Sequence, residues 1–230
     1  MSTLQTLDRG LRALNFVSLQ PRGVLVSEIA EELGVHRAIA YRIVSTLQSH
    51  GLVHRLDGGR VRLGAAAATL SRRFTPQLMT LGRPVLRELA DRTQATSCVS
   101  IAEGDECVVV MVEEARGQAL RVSYREGARH PLGHGAAGLA ILATRPESPH
   151  DTEEVRATRE RGYSLTHGQL QAGATGVSVG LTPIPALQTV DVEASIGVVA
   201  IGGLDTALAA RETKAAAARV GALLTGDARA

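Results

Sequence analysis

The stretch VSEIAEELGVHRAIAYRIVSTLQSHG, residues 26–51, decides the fold. Its first eight residues read as a short helix. Ser27 offers an N-cap oxygen, and acidic side chains sit in the first turns, where the helix dipole favours them. Gly34 ends that helix, because glycine enters the left-handed region without penalty. A second helix runs from about Val35 to Ser49 and buries Ala40, Ile43, Val44 and Leu47. Arg37, Ala38, Tyr41 and Arg42 fall on its opposite face, and Gly51 stops it. Two helices joined by a short glycine turn, the second basic on its outer face, form the helix-turn-helix pattern.

The flanks extend the pattern. Leu4, Leu7, Leu11, Leu14 and Val17 predict a helix over 4–19 with one apolar stripe. Downstream, Leu52–Leu56 reads as a strand, Asp57-Gly58-Gly59 as a hairpin turn and Arg60–Leu63 as the return strand. That strand places Arg60 and Arg62 on one face, Val61 and Leu63 on the other. Helix, helix-turn-helix and basic wing in this order point to double-stranded DNA binding. The alternative is a winged helix used for protein contacts.

The expected chemistry follows from side-chain type. The N-terminal half of helix 35–49 enters the major groove. There Arg37 reaches a guanine edge through two parallel hydrogen bonds, worth about 1–3 kcal/mol of discrimination. Ser27, Tyr41, Arg42 and the wing residues Arg55, Arg60 and Arg62 suit phosphates, which fix register without reading sequence. His36 fits either role. Ala38 and Ile39 have no hydrogen-bonding group and offer only apolar contact to a thymine methyl.

Composition bounds the rest. The 230 residues suffice for one large domain or two small ones with a buried core. Residues 1–73 carry ten Arg and five acidic residues, a balance of +5, whereas residues 74–230 carry −3. A basic head on a mildly acidic body suits a polyanion-binding module joined to a sensing one. Two cysteines argue for a reducing compartment. No apolar run approaches the roughly 18 residues of a membrane span, and MSTLQTLDRG has no signal-peptide pattern. A cytoplasmic protein is therefore expected, with no membrane partner. Aromatics at 2% and no Trp weaken any reading built on stacking single-stranded bases.

Beyond the wing, Gly64–Phe74 is alanine-rich and helix-favouring, and lies where the charge balance changes sign. An amphipathic helix over about 76–93 places Leu78, Leu81, Val85, Leu86 and Leu89 on one face, with Pro84 starting or kinking its main segment. Candidate strands are Ser97–Ile101, Glu106–Glu113, Ala119–Ser123, Gly176–Leu181 and Ser195–Ile201; candidate helices are 135–143, 152–162 and 205–224. The fold class is α+β, an antiparallel sheet flanked by helices. Gly135 and Gly138, around Ala136 and Ala137, let a helix N-terminus come close to a ligand, and its free N–H groups favour an anionic group. Gly162, Gly168, Gly173 and Gly176 allow tight turns opposite.

TLDRGLRAL (6–14), SEIAEELGVHRAIAYRIVSTLQSHGLV (27–53) and GGRVRLG (58–64) resemble the N-terminal domain of the IclR family of bacterial transcriptional regulators, and the likeness extends over residues 4–224. One local departure is Ala38-Ile39, where the family usually has Ser-Thr. The resemblance implies a winged helix-turn-helix domain at 1–63, a linker helix at 64–80 and a GAF-like effector-binding domain at 81–230. It also implies a homodimer or tetramer, commonly a repressor. Two downstream blocks match: GARHPLGHGAAGLAILA (127–143) at the floor of the effector pocket, and RERGYSLTHGQLQAGATGVSVGL (159–181), which closes it.

Carried over position by position, the resemblance implies that Ala119, Val122, Ala136, Ala137, Thr166, Ala174, Gly176 and Val199 face the pocket. Thr166, Ser178 and the amides near Ala136 are then its donors. Leu139 stands where the family has Lys, Gly133-His134 where it has His, Gln169 where it has an acid and Gly180 where it has Pro. Only 17 residues separate Ala143 from Arg161, fewer than in most relatives. The expected effector is a small, largely apolar or aromatic metabolite. The alternative is a ligand-independent DNA-binding regulator with a decayed pocket.

Other chemistries find no support. His130, His134, His150 and His167 with Cys98 and Cys107 match no compact metal-ligand spacing. GAAGLA and GVVAIGG lack the Lys-Ser/Thr of a phosphate loop. No Gly-x-Ser-x-Gly elbow is present. Neither an enzyme nor a cofactor is expected.

Overall fold

The computed structural model describes residues 4–73, 76–116, 124–181 and 192–225. The chain divides into two compact units, Met1–Pro76 and Gln77–Ala230.

The first unit is built from α1 (Gln5–Ser18), β1 (Val24–Leu25), α2 (Val26–Leu33), α3 (Arg37–Ser49), β2 (Val53–Arg55), β3 (Arg60–Leu63) and α4 (Ala65–Arg73). Its core gathers Ala13 and Val17 of α1, Ile29 of α2, Ala40 and Val44 of α3, and Val53 and Val61 of the wing. Gly34 closes α2 at φ +63°, and the Val35 N–H reaches back to the Ala30 carbonyl at 3.0 Å. That doubled-back turn holds Val35 and His36 outside the helix, so α3 starts at Arg37, two residues later than the pattern predicts. Gly51, at φ +68°, ends α3 in the same way.

Four expectations for this unit need correction. Ser27 is not the cap of α2. The helix begins at Val26, and the Leu25 N–H donates instead to the Glu28 carboxylate at 2.6 Å. The stripe on α1 splits, with Val17 buried but Leu4, Leu7 and Leu11 exposed. Leu63 does not share the burial of Val61. The wing also has a third strand that the pattern missed. β1 pairs antiparallel with β3, Val24 opposite Val61, giving the order β1-β3-β2. The start of α4 is seated on the end of α3. The Gly64 N–H donates to the Leu52 carbonyl at 2.8 Å and the Ala66 N–H to the Gly51 carbonyl at 3.1 Å.

The second unit comprises α5 (Pro76–Thr93), β4 (Thr96–Glu103), β5 (Glu106–Glu113), β6 (Arg129–Pro131), α6 (Gly135–Leu142), α7 (Glu153–Arg161), β7 (Ser164–His167), β8 (Ala174–Leu181), β9 (Ala194–Ile201) and α8 (Thr206–Thr225). Its six strands form one antiparallel sheet in the order β6-β5-β4-β9-β8-β7. The expected strand at 119–123 lies outside the described residues. β6 and β7 are additions, both too short to announce themselves by alternation. α5 runs through Pro84 without starting there.

The two faces of the sheet differ in kind. One presents Val99, Ile101, Met111, Val177, Ile196 and Val198 to Leu86 and Leu89 of α5 and to Ala209, Ala216 and Val220 of α8, forming the main core. The other presents small residues to α6, a helix that is buried along nearly its whole length. Here the structure reassigns a glycine. A side chain on Gly138 would start 2.1 Å from the Leu132 carbonyl oxygen, so Gly138 serves the packing of α6 on the β6 loop and not the approach of a ligand.

Candidate functional site

On the first unit, α3 presents Arg37, Ala38, Ile39, Tyr41 and Arg42 to solvent, with His36 exposed at its cap. The buried row Ala40, Ile43, Val44 and Leu47 faces the core and orients the helix. The guanidiniums of Arg37, Arg42 and Arg62 form no hydrogen bond or ion pair among the described residues, so all three remain available to an external anion. Their sequence-predicted companions are less free. Arg60 donates to the Gly23 carbonyl at 2.7 Å and pairs with Glu28 at 3.8 Å, so it ties β3 to the start of α2 and is not a free wing cation. Arg55 is half-buried, its guanidinium 5.2 Å from the centre of the Tyr41 ring. That cation–π contact, worth about 0.5–1 kcal/mol at an exposed site, fastens β2 to α3. Ser27 is half-buried in the first turn of α2.

On the second unit, a cavity of about 240 Å³ opens between α6 and the small-residue face of the sheet. Sheet register explains the space. Cys98, Gly197, Ser178 and Ser164 lie in one row across β4, β9, β8 and β7; Thr96, Val199, Gly176 and Thr166 lie in the next. Two of these positions are glycine. At Gly197 a side chain would meet the Ser178 oxygen at 2.0 Å, and at Gly176 it would meet the Ala136 methyl at 3.1 Å. Ser164 donates to the Ala136 carbonyl at 2.6 Å and thereby pins the N-terminal turn of α6 to β7.

The cavity brings together Ala136, Ala137, Thr166, Ala174, Gly176, Ser178 and Val199, all assigned to the pocket from the resemblance. Ala119 and Val122 lie outside the described residues. Sequence reasoning named none of Cys98, Tyr124, His130, Gln169 and Leu170 as pocket-facing, although it put His130 in the floor block and Gln169 and Leu170 in the closing block; all five line the cavity. Alternation along β4 would have found Cys98, next to the core-facing Val99; the loop residues carried no pattern. The mouth is also more closed than glycine content implied. The first N–H of α6, on Gly135, donates to the Gln169 side-chain oxygen at 2.8 Å, so it is not free.

The cavity is weakly polar and holds its protons. His130 Nδ1 lies 3.1 Å from the Pro131 carbonyl, which can only accept, so Nδ1 carries the proton. Nε2 lies 3.3 Å from the Tyr124 hydroxyl, within hydrogen-bonding distance. Burial pushes the Tyr124 hydroxyl up from its ordinary value. It also raises the Cys98 thiol to about 12 and the Cys107 thiol to about 11, which keeps both protonated and unreactive near neutrality. No group of three or more metal-ligating side chains occurs among the described residues.

Comparison with known proteins matches this arrangement. The family model for the IclR helix-turn-helix domain matches residues 6–57. The transcriptional repressor IclR of Escherichia coli is 25% identical over 188 residues, covering 70% of this chain and 69% of that protein. The chain thus carries an IclR-type helix-turn-helix domain at residues 6–57 and is similar over most of its length to transcriptional regulators of the IclR family. Another relative, the HTH-type transcriptional regulator TtgV of Pseudomonas putida, is 28% identical over 145 residues, 63% of this chain and 56% of that protein. The matched part thus spans little more than half of TtgV. Among solved structures, an IclR homolog from Microbacterium hydrocarbonoxydans complexed with 4-hydroxybenzoate superposes with a TM-score of 0.73 at 20% identity, covering 96% of this chain and 99% of that one. These relatives are regulators. The α+β architecture of the IclR fold, helix-turn-helix first and helix-flanked antiparallel sheet second, is the one expected from the sequence. No helix among the described residues is long and apolar enough to cross a membrane.

Proposed function

We propose that this chain is a transcriptional repressor that binds duplex DNA through α3 and the wing and senses a small, largely apolar or aromatic metabolite in the cavity of its second unit. The observation that carries the reading is the exposed, unpaired pair Arg37 and Arg42 on α3, within the matched helix-turn-helix domain. Arg37 stands at the N-terminal end of the helix, where side chains of such helices meet base edges. Arg42 and Arg62 are placed for phosphates.

The working form is a homodimer or tetramer, because one recognition helix supplies too few specific contacts for a single operator. Leu4, Leu7 and Leu11, uncovered on α1, support a subunit contact there. The domain division is winged helix-turn-helix at 1–63, linker helix at 64–80 and sensor at 81–230, in a cytoplasmic protein. A cavity of about 240 Å³ accommodates a single ring with one or two substituents, and the structural neighbour holding 4-hydroxybenzoate supports that size. Fluorescence anisotropy tests the DNA-binding half. The protein is titrated onto the duplex upstream of its own gene and onto random duplex, at several salt concentrations. The expected result is a salt-sensitive interaction, tighter on the upstream duplex and lost in the Arg37→Ala/Arg42→Ala double variant. Equal retention by that variant would refute it.

A further inference from the structure

The buried side of α3 fixes which residue stands farthest out. Ala40, Ile43, Val44 and Leu47 face the core. At 3.6 residues per turn, the line opposite them runs through Ala38, Arg42, Ser45 and Ser49, all exposed. Of that line only Ala38 lies in the first turn, the part of such a helix that meets base edges. The neighbouring positions divide between two flanks. Tyr41 is turned towards the wing, with the Arg55 guanidinium 5.2 Å from its ring centre, and Arg37 stands one turn before it on the same flank. Ile39, 37% exposed, lies on the flank towards α2, where it shares a shallow groove with Gly34, Val35 and His36.

Hydrogen-bonding groups are missing from the centre of this outermost turn. Arg37 brings an unpaired guanidinium to its edge, but Ala38 and Ile39 offer hydrocarbon alone. The hydroxyls farther along do not replace them. Thr46 donates to the Arg42 carbonyl at 3.0 Å and Ser49 to the Thr46 carbonyl at 2.8 Å, so both protons are engaged within α3. A methyl group at the point of closest approach lets the helix sit deep, and the base edge beneath it loses its water. A donor or acceptor there would go unpaired, which is unfavourable for any buried polar group. Among the four bases, thymine alone presents a hydrocarbon group in the major groove, its C5-methyl.

We propose that Ala38, with Ile39 beside it, reads the C5-methyl group of a thymine, and that this methyl is a specificity determinant of each operator half-site. The proposal rests on the DNA-binding reading above and names the base chemistry that α3 selects. Arg37 and Ala38 are consecutive, about 3.8 Å apart at Cα, so the thymine lies within about one or two base-pair steps of the guanine that Arg37 takes. Neither Ala38 nor Ile39 can pair with thymine O4, so the site senses the methyl and not the rest of the base. 5-Methylcytosine keeps the methyl and exchanges O4 for an amino group, so it is preferred over cytosine at the same place.

The full chain first selects its site from a random duplex library. Fluorescence anisotropy then measures the selected duplex with each thymine replaced in turn by deoxyuridine, cytosine or 5-methylcytosine, the cytosines paired with guanine. The Ala38→Gly and Ile39→Ala variants are measured alongside; both positions are exposed, and thermal melts check folding, with Ile39→Ala carrying the test if Ala38→Gly fails to fold. One thymine per half-site should respond to deoxyuridine with a loss of about four-fold, the worth of one buried methyl, and about 15-fold when both half-sites are changed. At that position 5-methylcytosine should bind about four-fold tighter than cytosine. The deoxyuridine penalty should fall below about two-fold in Ala38→Gly and by a smaller amount in Ile39→Ala. A selected site at which no thymine responds to deoxyuridine overturns the proposal and leaves the DNA-binding reading intact, as does equal binding of cytosine and 5-methylcytosine. A penalty of unchanged size in the variants overturns it too, because the methyl would then act through duplex stiffness and not through contact. If selection enriches no sequence at all, the proposal and the base-reading role of α3 are lost together.

Discussion

Replacing Gly138 by alanine should destabilise the second unit, although alanine is the better helix former. Gly→Ala inside a helix ordinarily stabilises by about 1 kcal/mol. At Gly138 the new methyl would start 2.1 Å from the Leu132 carbonyl oxygen and 2.9 Å from its carbon. The obstacle is backbone, so no side-chain rotation relieves it, and α6 must retreat by roughly 1 Å from the β6 loop. Overpacking of this kind costs about 1–3 kcal/mol, and a backbone obstacle puts it at the upper end. After the propensity gain, a net loss of about 1–2 kcal/mol remains, or roughly 2–8 °C of melting temperature for a unit of this size. Gly221 on α8 is the control, because nothing lies within 4 Å of its Cβ position. Gly221→Ala should gain up to about 1 kcal/mol. Urea titration followed by far-ultraviolet circular dichroism reads both variants. A Gly138→Ala chain as stable as Gly221→Ala would refute the argument that α6 is held by this contact.

Further outcomes follow from other contacts. Arg42→Ala should weaken binding to all duplexes alike and flatten the salt slope, whereas Arg37→Ala should narrow the gap between specific and random DNA; equal losses on both duplexes for Arg37→Ala would refute its role as a base reader. Arg60→Ala should lower the stability of the first unit by about 1 kcal/mol, after discounting the half-exposed ion pair with Glu28; unchanged urea unfolding, with lost DNA binding, would restore Arg60 to the phosphate contacts. Alkali should unfold the second unit early. Burial keeps Cys98 and Cys107 protonated up to about 12 and about 11, while the unfolded thiols ionise near 9, so their contribution is whole below pH 9 and fades towards pH 12. The urea midpoint should accordingly fall from pH 9 to 11 in the wild type and fall less in a Cys98→Ala/Cys107→Ala chain.

The head was legible because its punctuation is local. Gly34 and Gly51 each end a helix by their own backbone freedom, and Ala40, Ile43, Val44 and Leu47 declare the buried side of α3 by spacing alone. What stayed hidden depends on partners distant in sequence. β1 is two residues long and exists because Val24 meets Val61. Ser27 has the right chemistry for a cap, but the helix opens one residue before it, and Glu28 in its first turn reaches back to the Leu25 N–H. Arg60 reads as a wing cation until Gly23 and Glu28 are seen beside it. In the sensor unit, the family likeness pointed to Thr166, Gly176 and Val199. The lining by Cys98 and the bond from the Gly135 amide to Gln169 appear only once strand register and the loop are in place.

The sheet of the sensor unit divides its labour between its faces. The branched and bulky residues packed against α5 and α8 form the main core, while the α6 side carries a smaller cluster around Leu132 and Ile141 and, at the cavity, Gly176, Ser178, Gly197 and Cys98. Substitutions that recolour the α6 side change what fits there without removing much buried hydrocarbon. The volume and polarity of that side can therefore be altered by substitution while the larger core on the opposite face keeps the unit folded.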